Sequence, residues 1–240
     1  MWSGRTRWLV ASALFLLPLI LYSNTLFARF GFRDDYALLR EVHEEPGKII
    51  RHVGTFARPL YGIMLQAFFE RVDGIDDLWK GRVASALCVG AVSAMLFLSL
   101  LKLHWPPWTS VLLGALMSVL PAAQVIISWA ICWPHLLGGL LSLIAFLVAE
   151  KGGFPRHLAA GVLVAVAALL YQPHALFYVV PVAAGLLNRW AEKIRWRVRW
   201  TALHLITVGA GLVAAFLFAR ALYAFGLVSP SHLVSLETQP

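Results

Sequence analysis

Apolar residues gather in seven blocks along the chain: Trp8 to Phe27, Arg82 to Leu103, Trp108 to Ala123, Cys132 to Ala149, His157 to Tyr171, His174 to Leu187 and Trp200 to Tyr223. An α-helix rises 1.5 Å per residue, so a block of about 20 residues reaches across the ~30 Å hydrocarbon core of a bilayer. The pattern therefore predicts an all-α integral membrane protein with about seven transmembrane helices. Its polytopic domain is expected to occupy residues 1–228, followed by a short outer tail, 229–240. The third and sixth blocks fall below the roughly 17 residues usually needed, and each carries a proline, Pro121 or Pro181. The first block follows a short basic start, Met1 to Arg7, and lacks a small-x-small cleavage site, so it is expected to stay as an uncleaved first helix.

Composition supports the same reading. With 60% apolar and only 13% charged residues, an ordinary water-soluble domain is excluded. The formal charge of +8 would suggest nucleic acid in a soluble protein, but here it follows topology. With the N-terminus placed in the cytoplasm, inner ends and loops hold Arg5, Arg7, Lys102, Lys151, Arg156, Arg189, Lys193, Arg195, Arg197 and Arg199 against Glu150 and Glu192. That is the whole basic excess. The outer segment 29–82 balances nine basic against nine acidic residues, and Arg220 offsets Glu237. Basic charge thus reads as an orientation signal, and no nucleic-acid partner is expected. Seven tryptophans (2, 8, 105, 108, 190, 196 and 200) fall at the expected cytoplasmic helix ends, and Trp79, Trp129 and Trp133 at outer ends, as an indole at headgroup level should. The stretch RWRVRW, Arg195 to Trp200, suits a loop embedded among headgroups. Cys88 and Cys132 lie inside apolar runs without metal-ligand spacing and read as small buried hydrophobes.

The outer segment 29–82 is the one sizeable polar block, and function is expected there. It holds nine of the twelve acidic residues. Asp34 and Asp35 stand out because they follow the first block directly, in FARFGFRDDYALLR. From Asp34 the chain is expected to form a short interfacial helix with Leu38, Leu39 and Val42 on one face. An aspartate there can act in chemistry or merely cap the helix. A second short helix is expected over Leu60 to Phe69, with Pro59 in its first turn and Arg58 immediately before it, beside backbone amides suited to a phosphate. Arg220 is the one charge inside the last apolar block. His52, His135 and His174 all lie near the expected outer side, as do Tyr171 and Gln172 beside Pro173, whose ring also favours a tight helical hairpin.

The order of these features resembles the polytopic GT-C glycosyltransferases, including bacterial O-antigen glucosyltransferases and protein O-mannosyltransferases. A first span is followed by an outer loop opening on DDY (Asp34 to Tyr36), then by RPL (Arg58 to Leu60) before a short helix and the second span. The stretch LPAAQVIISWAICWPHLLGGLLSLIAFLVA, with Pro121, Val125 and Trp129, looks like the same superfamily, and YQP (Tyr171 to Pro173) is similar to a feature of its glucosyltransferase branch. The resemblance covers residues 8–190.

It implies an enzyme of the bacterial inner membrane that takes a sugar from a polyprenyl-phosphate donor and passes it, at the outer face, to a lipid-linked glycan or protein acceptor with inversion. Membrane lipid and a partner subunit are further expected partners. Asp34 is then the catalytic base, with Asp35 orienting a partner or holding a divalent metal ion, for which no further ligand motif is present. Arg58, and second Arg220, are expected to bind the donor phosphate, and His52, Tyr171, Gln172 and His174 the substrate. Such enzymes usually carry more spans, so a truncated non-catalytic relative, a lipid-carrier translocase and an assembly subunit are the competing expectations.

Overall fold

The computed structural model describes residues 2–188 and 193–227. Arg189, Trp190, Glu192 and the tail 229–240 lie outside the described residues, so the expectations placed on them are not addressed by it. Among the described residues the chain is helical, with no strand. Its elements are α1 (Gly4–Leu21), α2 (Ser23–Leu26), α3 (Asp34–Glu44), α4 (Lys48–Gly54), α5 (Pro59–Phe69), a 3-10 turn (Ile75–Asp77), α6 (Trp79–Lys102), α7 (Pro107–Val119), α8 (Pro121–Ser128), α9 (Trp133–Ala149), α10 (Phe154–Ala175), a 3-10 turn (Leu176–Tyr178), α11 (Val179–Asn188) and α12 (Ile194–Ala224).

Four segments are long and apolar enough to cross a bilayer: Gly4–Leu21, Ile75–Lys102, Phe154–Asn188 and Ile194–Ala224. A fifth arises if the pair Pro107–Val119 and Pro121–Ser128, bent by 46°, is one span. Among the described residues the chain is therefore all-helical, with four or five segments able to cross a membrane, fewer than the seven blocks of its sequence. The difference has local causes. Proline at Pro121 lacks the N–H that would continue α7, so the backbone turns there and Pro121 opens α8 as its first-turn residue. Helix α9 is 17 residues long. In α10, Tyr171 leaves helical geometry (φ −162°, ψ 109°) two residues before Pro173, whose missing N–H cannot bond back to Leu169.

That break reverses the chain. Beyond it the β-carbon of His174 and the ring of Phe177 lie near Gly139, the Tyr178 ring is 5.9 Å from that of Phe146, and Asn188 Nδ2 donates to Leu103 O at 2.7 Å. The segment after Tyr171 thus returns alongside α9 toward the end of α6, as a tight hairpin would.

Close helix packing sets the frame. A β-carbon on Gly90 would stand 2.0 Å from Phe15 O, so α1 and α6 touch backbone to backbone there and only glycine fits. A β-carbon on Gly138 would lie 3.2 Å from Ala167 O, so α9 and α10 also pack closely there. At the end of the bundle carrying α3 to α5, here the loop end, Tyr223 of α12 donates to Gly54 O and Thr55 O at 3.0 and 3.1 Å. At the opposite, far end, Trp105 Nε1 donates to Ala184 O and Trp200 Nε1 to Glu150 Oε2.

Candidate functional site

The short helices at the loop end follow from local signals. Helix α3 starts at Asp34, after Arg33 at a positive φ of 47°, and carries both aspartates in its first turn, where the helix dipole favours negative charge. Val42 of α3 is buried in a cluster with Ile49, Val53, Leu65 and Phe69, with Leu38 and Leu39 against it. Helix α5 opens on Pro59, with Arg58 at its N-cap position.

Asp34 and Asp35 have opposite environments. Asp34 is exposed and lines a cavity of about 570 Å³. Asp35 is fully buried. Its Oδ2 accepts from Phe32 N at 2.9 Å and Ala130 N at 3.4 Å, while Oδ1 has no hydrogen-bond partner. Burial pushes its carboxyl up to about 6, against the opposing pull of those amides and of the Arg82 charge. Adjacent residues on a helix diverge, so the two carboxylates do not face one site. Among the described residues no group of three or more His, Cys, Asp or Glu is placed to hold a metal ion.

Arg58 lies in the same cavity as Asp34. Its Nε donates to Gln172 Oε1 at 2.8 Å, and the guanidinium carbon sits 4.4 Å from the centre of the Tyr171 ring. The column continues beyond Tyr171. His135 lies 4.0 Å from Tyr171 and 4.2 Å from Tyr61, between the two rings, and all four side chains border the cavity. Gln172 also donates Nε2 to Phe56 O and Ala57 O, each at 3.2 Å. Its amide thus joins the break in α10 to the turn before α5 and holds Arg58 over Tyr171. It does not itself line the cavity.

His52 and His174 complete the polar part of the lining, together with Glu41. His174 Nδ1 lies 2.6 Å from His135 O, the contact that ties the segment after the break to the start of α9. His174 and Ile126 also border a second cavity of about 220 Å³, otherwise walled by apolar residues such as Val89, Met117, Leu136 and Phe177. Arg220 is not brought to either cavity. It is exposed on α12, one turn before the Tyr223 anchor.

Of the expected site residues, the structure gathers Asp34, Arg58, His52, Tyr171 and His174 around one cavity, and leaves Asp35, Gln172 and Arg220 outside its lining. Asp35 and Gln172 serve as positioning residues through their hydrogen bonds. Nothing in the sequence marks Tyr61, whereas His135 stands with His52 and His174 among the histidines expected near the outer side. Arg82 was counted only among the outer basic charges, yet it is fully buried and donates to the carbonyls of Thr25 and Leu26, at 3.1 and 3.4 Å, and to those of Ala28 and Phe30. It caps the carbonyl end of α2 and fixes the strand of chain that delivers Asp34. Gly81, its neighbour, presses on Ala130 O, where a β-carbon would come within 2.5 Å. In the sequence Arg82 stands at the edge of an apolar run, where a charge reads as a boundary. Comparison with protein-family models, with curated proteins and with solved structures finds no match.

Proposed function

We propose that this chain is a membrane glycosyltransferase of the GT-C type, moving a sugar from a polyprenyl-phosphate donor to an acceptor at the outer membrane face. The observation that carries the reading is that one cavity holds an exposed carboxylate, Asp34, and a positioned arginine, Arg58, beside a second cavity walled by apolar side chains. A lipid phosphosugar has matching parts: a polar head needing a cation, and an isoprenoid chain needing an apolar wall. A cavity of this size is in the ~300–1,000 Å³ range of small-molecule sites.

In this reading Asp34 takes the proton of the acceptor hydroxyl as its oxygen attacks the anomeric carbon. The bond from that carbon to the phosphate oxygen breaks on the opposite face, so configuration inverts, and the electron pair leaves on the phosphate. Arg58 stabilises that developing charge. Stacking on Tyr171 and the bond to Gln172 hold its guanidinium in place, so little ordering is needed during the reaction. Asp35 and Arg82 act through the backbone that presents Asp34.

The membrane arrangement that goes with this reading has seven crossings, with the bent α7 and α8 as one, α9 as another, and the two arms of the hairpin at Tyr171 as two more. The N-terminus then lies in the cytoplasm of a bacterial cell, and the loop end faces out. The basic excess at the far end supports that orientation. A lipid-linked glycan or a protein is the acceptor.

The test is sugar transfer by the purified chain, supplied with a polyprenyl phosphosugar and membrane acceptor fractions. Asp34→Asn should abolish transfer while leaving membrane insertion and thermal midpoint unchanged. Transfer at the wild-type rate in Asp34→Asn removes the base, and transport of the donor across vesicles without its consumption assigns the chain to translocation instead.

A further inference from the structure

At the far end a groove runs between α10 and α12, away from the Asp34 cavity. Its first part, of about 510 Å³, has a floor of Glu150, His157, His204 and Thr207. These polar groups are tied to one another and to their neighbours. His204 is buried, with Nε2 3.3 Å from Glu150 Oε2 and Nδ1 2.7 Å from the Tyr178 hydroxyl, and His157 Nδ1 lies 2.8 Å from Thr207 Oγ1. Trp200 Nε1 donates to the same Glu150 oxygen at 2.9 Å. The acid in the floor is thus engaged in hydrogen bonds within this network, and the charged side chains at the mouth are basic. Arg199 lines the groove and forms no ion pair among the described residues, and Lys151 on the adjoining turn and Arg156 in the first turn of α10 are both exposed.

The groove then continues as a second part of about 340 Å³, sharing His157, Leu158 and Ala210 with the first. Small residues, Gly161, Ala165 and Ala214 among them, hollow it, and Phe218 closes it. Phe154, Leu158, Ile206 and Phe218 beside it are all largely exposed. One end of the groove is therefore cationic with a polar floor, and the other is wholly apolar. That is the shape and polarity of an amphiphile with an anionic head.

We infer that the α10–α12 groove is a binding site for an anionic membrane phospholipid, with its phosphate at Arg199 and one acyl chain along Gly161, Ala165 and Ala214. Charge favours this occupant over a second copy of the chain. Nine of the twelve acidic residues lie in 29–82, at the loop end, so a parallel copy brings few carboxylates to meet Arg199, Lys151 and Arg156. A phospholipid headgroup brings its own. The site is separate from the Asp34 cavity and does not rest on the transferase reading.

The full chain in mild detergent is titrated with phosphatidylglycerol or phosphatidylethanolamine of identical acyl chains, and bound lipid is counted by native mass spectrometry. One basic residue at a membrane surface favours an anionic lipid by roughly five-fold, so phosphatidylglycerol should be retained at least about five-fold better. Arg199→Glu should erase that preference, and Ala214→Phe should lower occupancy by either lipid by filling the chain channel. Equal retention of the two lipids, or a preference that survives Arg199→Glu, overturns the inference. So does displacement of bound lipid by glycerol phosphate alone, or a dimer that Ala214→Phe abolishes.

Discussion

The loop-end cavity and the far-end groove both place acids, bases and aromatics among apolar helices, yet they use them in opposite ways. At the far end, Glu150, His204, Tyr178 and Trp200 satisfy one another, and the network is a floor. At the loop end, the hydrogen bonds of Gln172 and Asp35 go to backbone and to Arg58, while Asp34, His52 and Arg58 keep capacity turned toward the cavity. Ionisable groups are costly at membrane depth, so a network that closes on itself reads as architecture, and one held open by supporting residues reads as a site. The pair Asp34 and Asp35 repeats the contrast within one helical turn.

The contrast is broken most strongly at Asp34. Loss of a general base typically costs ~10² to 10⁴ in rate, so Asp34→Asn should lower sugar transfer by about that factor in an assay with radiolabelled donor, with an unchanged thermal midpoint. Arg82→Ala should act in the opposite manner. It leaves the carbonyls of Thr25, Leu26, Ala28 and Phe30 without their buried donor, at a cost of about 3–5 kcal/mol, read as a fall in the unfolding midpoint of the detergent-solubilised protein. Asp35 sharpens the distinction through pH. Its carboxyl is raised from 3.8 to about 6 by burial, so the folded state holds a proton that the unfolded state has released. Stability from this group is present below about pH 4 and is lost as pH rises through about 6, by roughly 3 kcal/mol. Unfolding curves of Asp35→Asn at pH 4 and pH 7 should lack that difference. The smallest effect is expected at Gln172. Gln172→Ala frees Arg58 from its 2.8 Å bond, and donor affinity should weaken about ten-fold, in line with the roughly 1.5 kcal/mol lower range for hydrogen bonds to charged groups.

Much of the loop end was legible in the sequence because its signals are local. Proline at position 59 marks the start of α5, the DDY string opens α3, and Leu38, Leu39 and Val42 repeat at helical spacing and are at least partly buried. Adjacent aspartates had to diverge, but which of them turned inward depended on Ala130, 95 residues away. The same limit hid the Tyr61–His135–Tyr171 column and the bond from Arg58 to Gln172, which spans 114 residues. The role of Arg82 is hidden from the sequence for a different reason. A charge at the edge of an apolar block looks like a boundary, and only the fold reveals four backbone carbonyls turned toward it. The count of long apolar helices fell below the count of apolar blocks because Pro121 and the break before Pro173 divide or merge helices in ways hydropathy does not register.

The central claim is that the Asp34 cavity receives a lipid phosphosugar through Arg58. Native mass spectrometry of gently extracted protein, with polyprenyl phosphosugar added in excess, tests it most directly. The account predicts a retained donor in wild type and in Asp34→Asn, and its loss in Arg58→Ala. Absence of bound donor in the wild-type protein, or equal retention by Arg58→Ala, would contradict it.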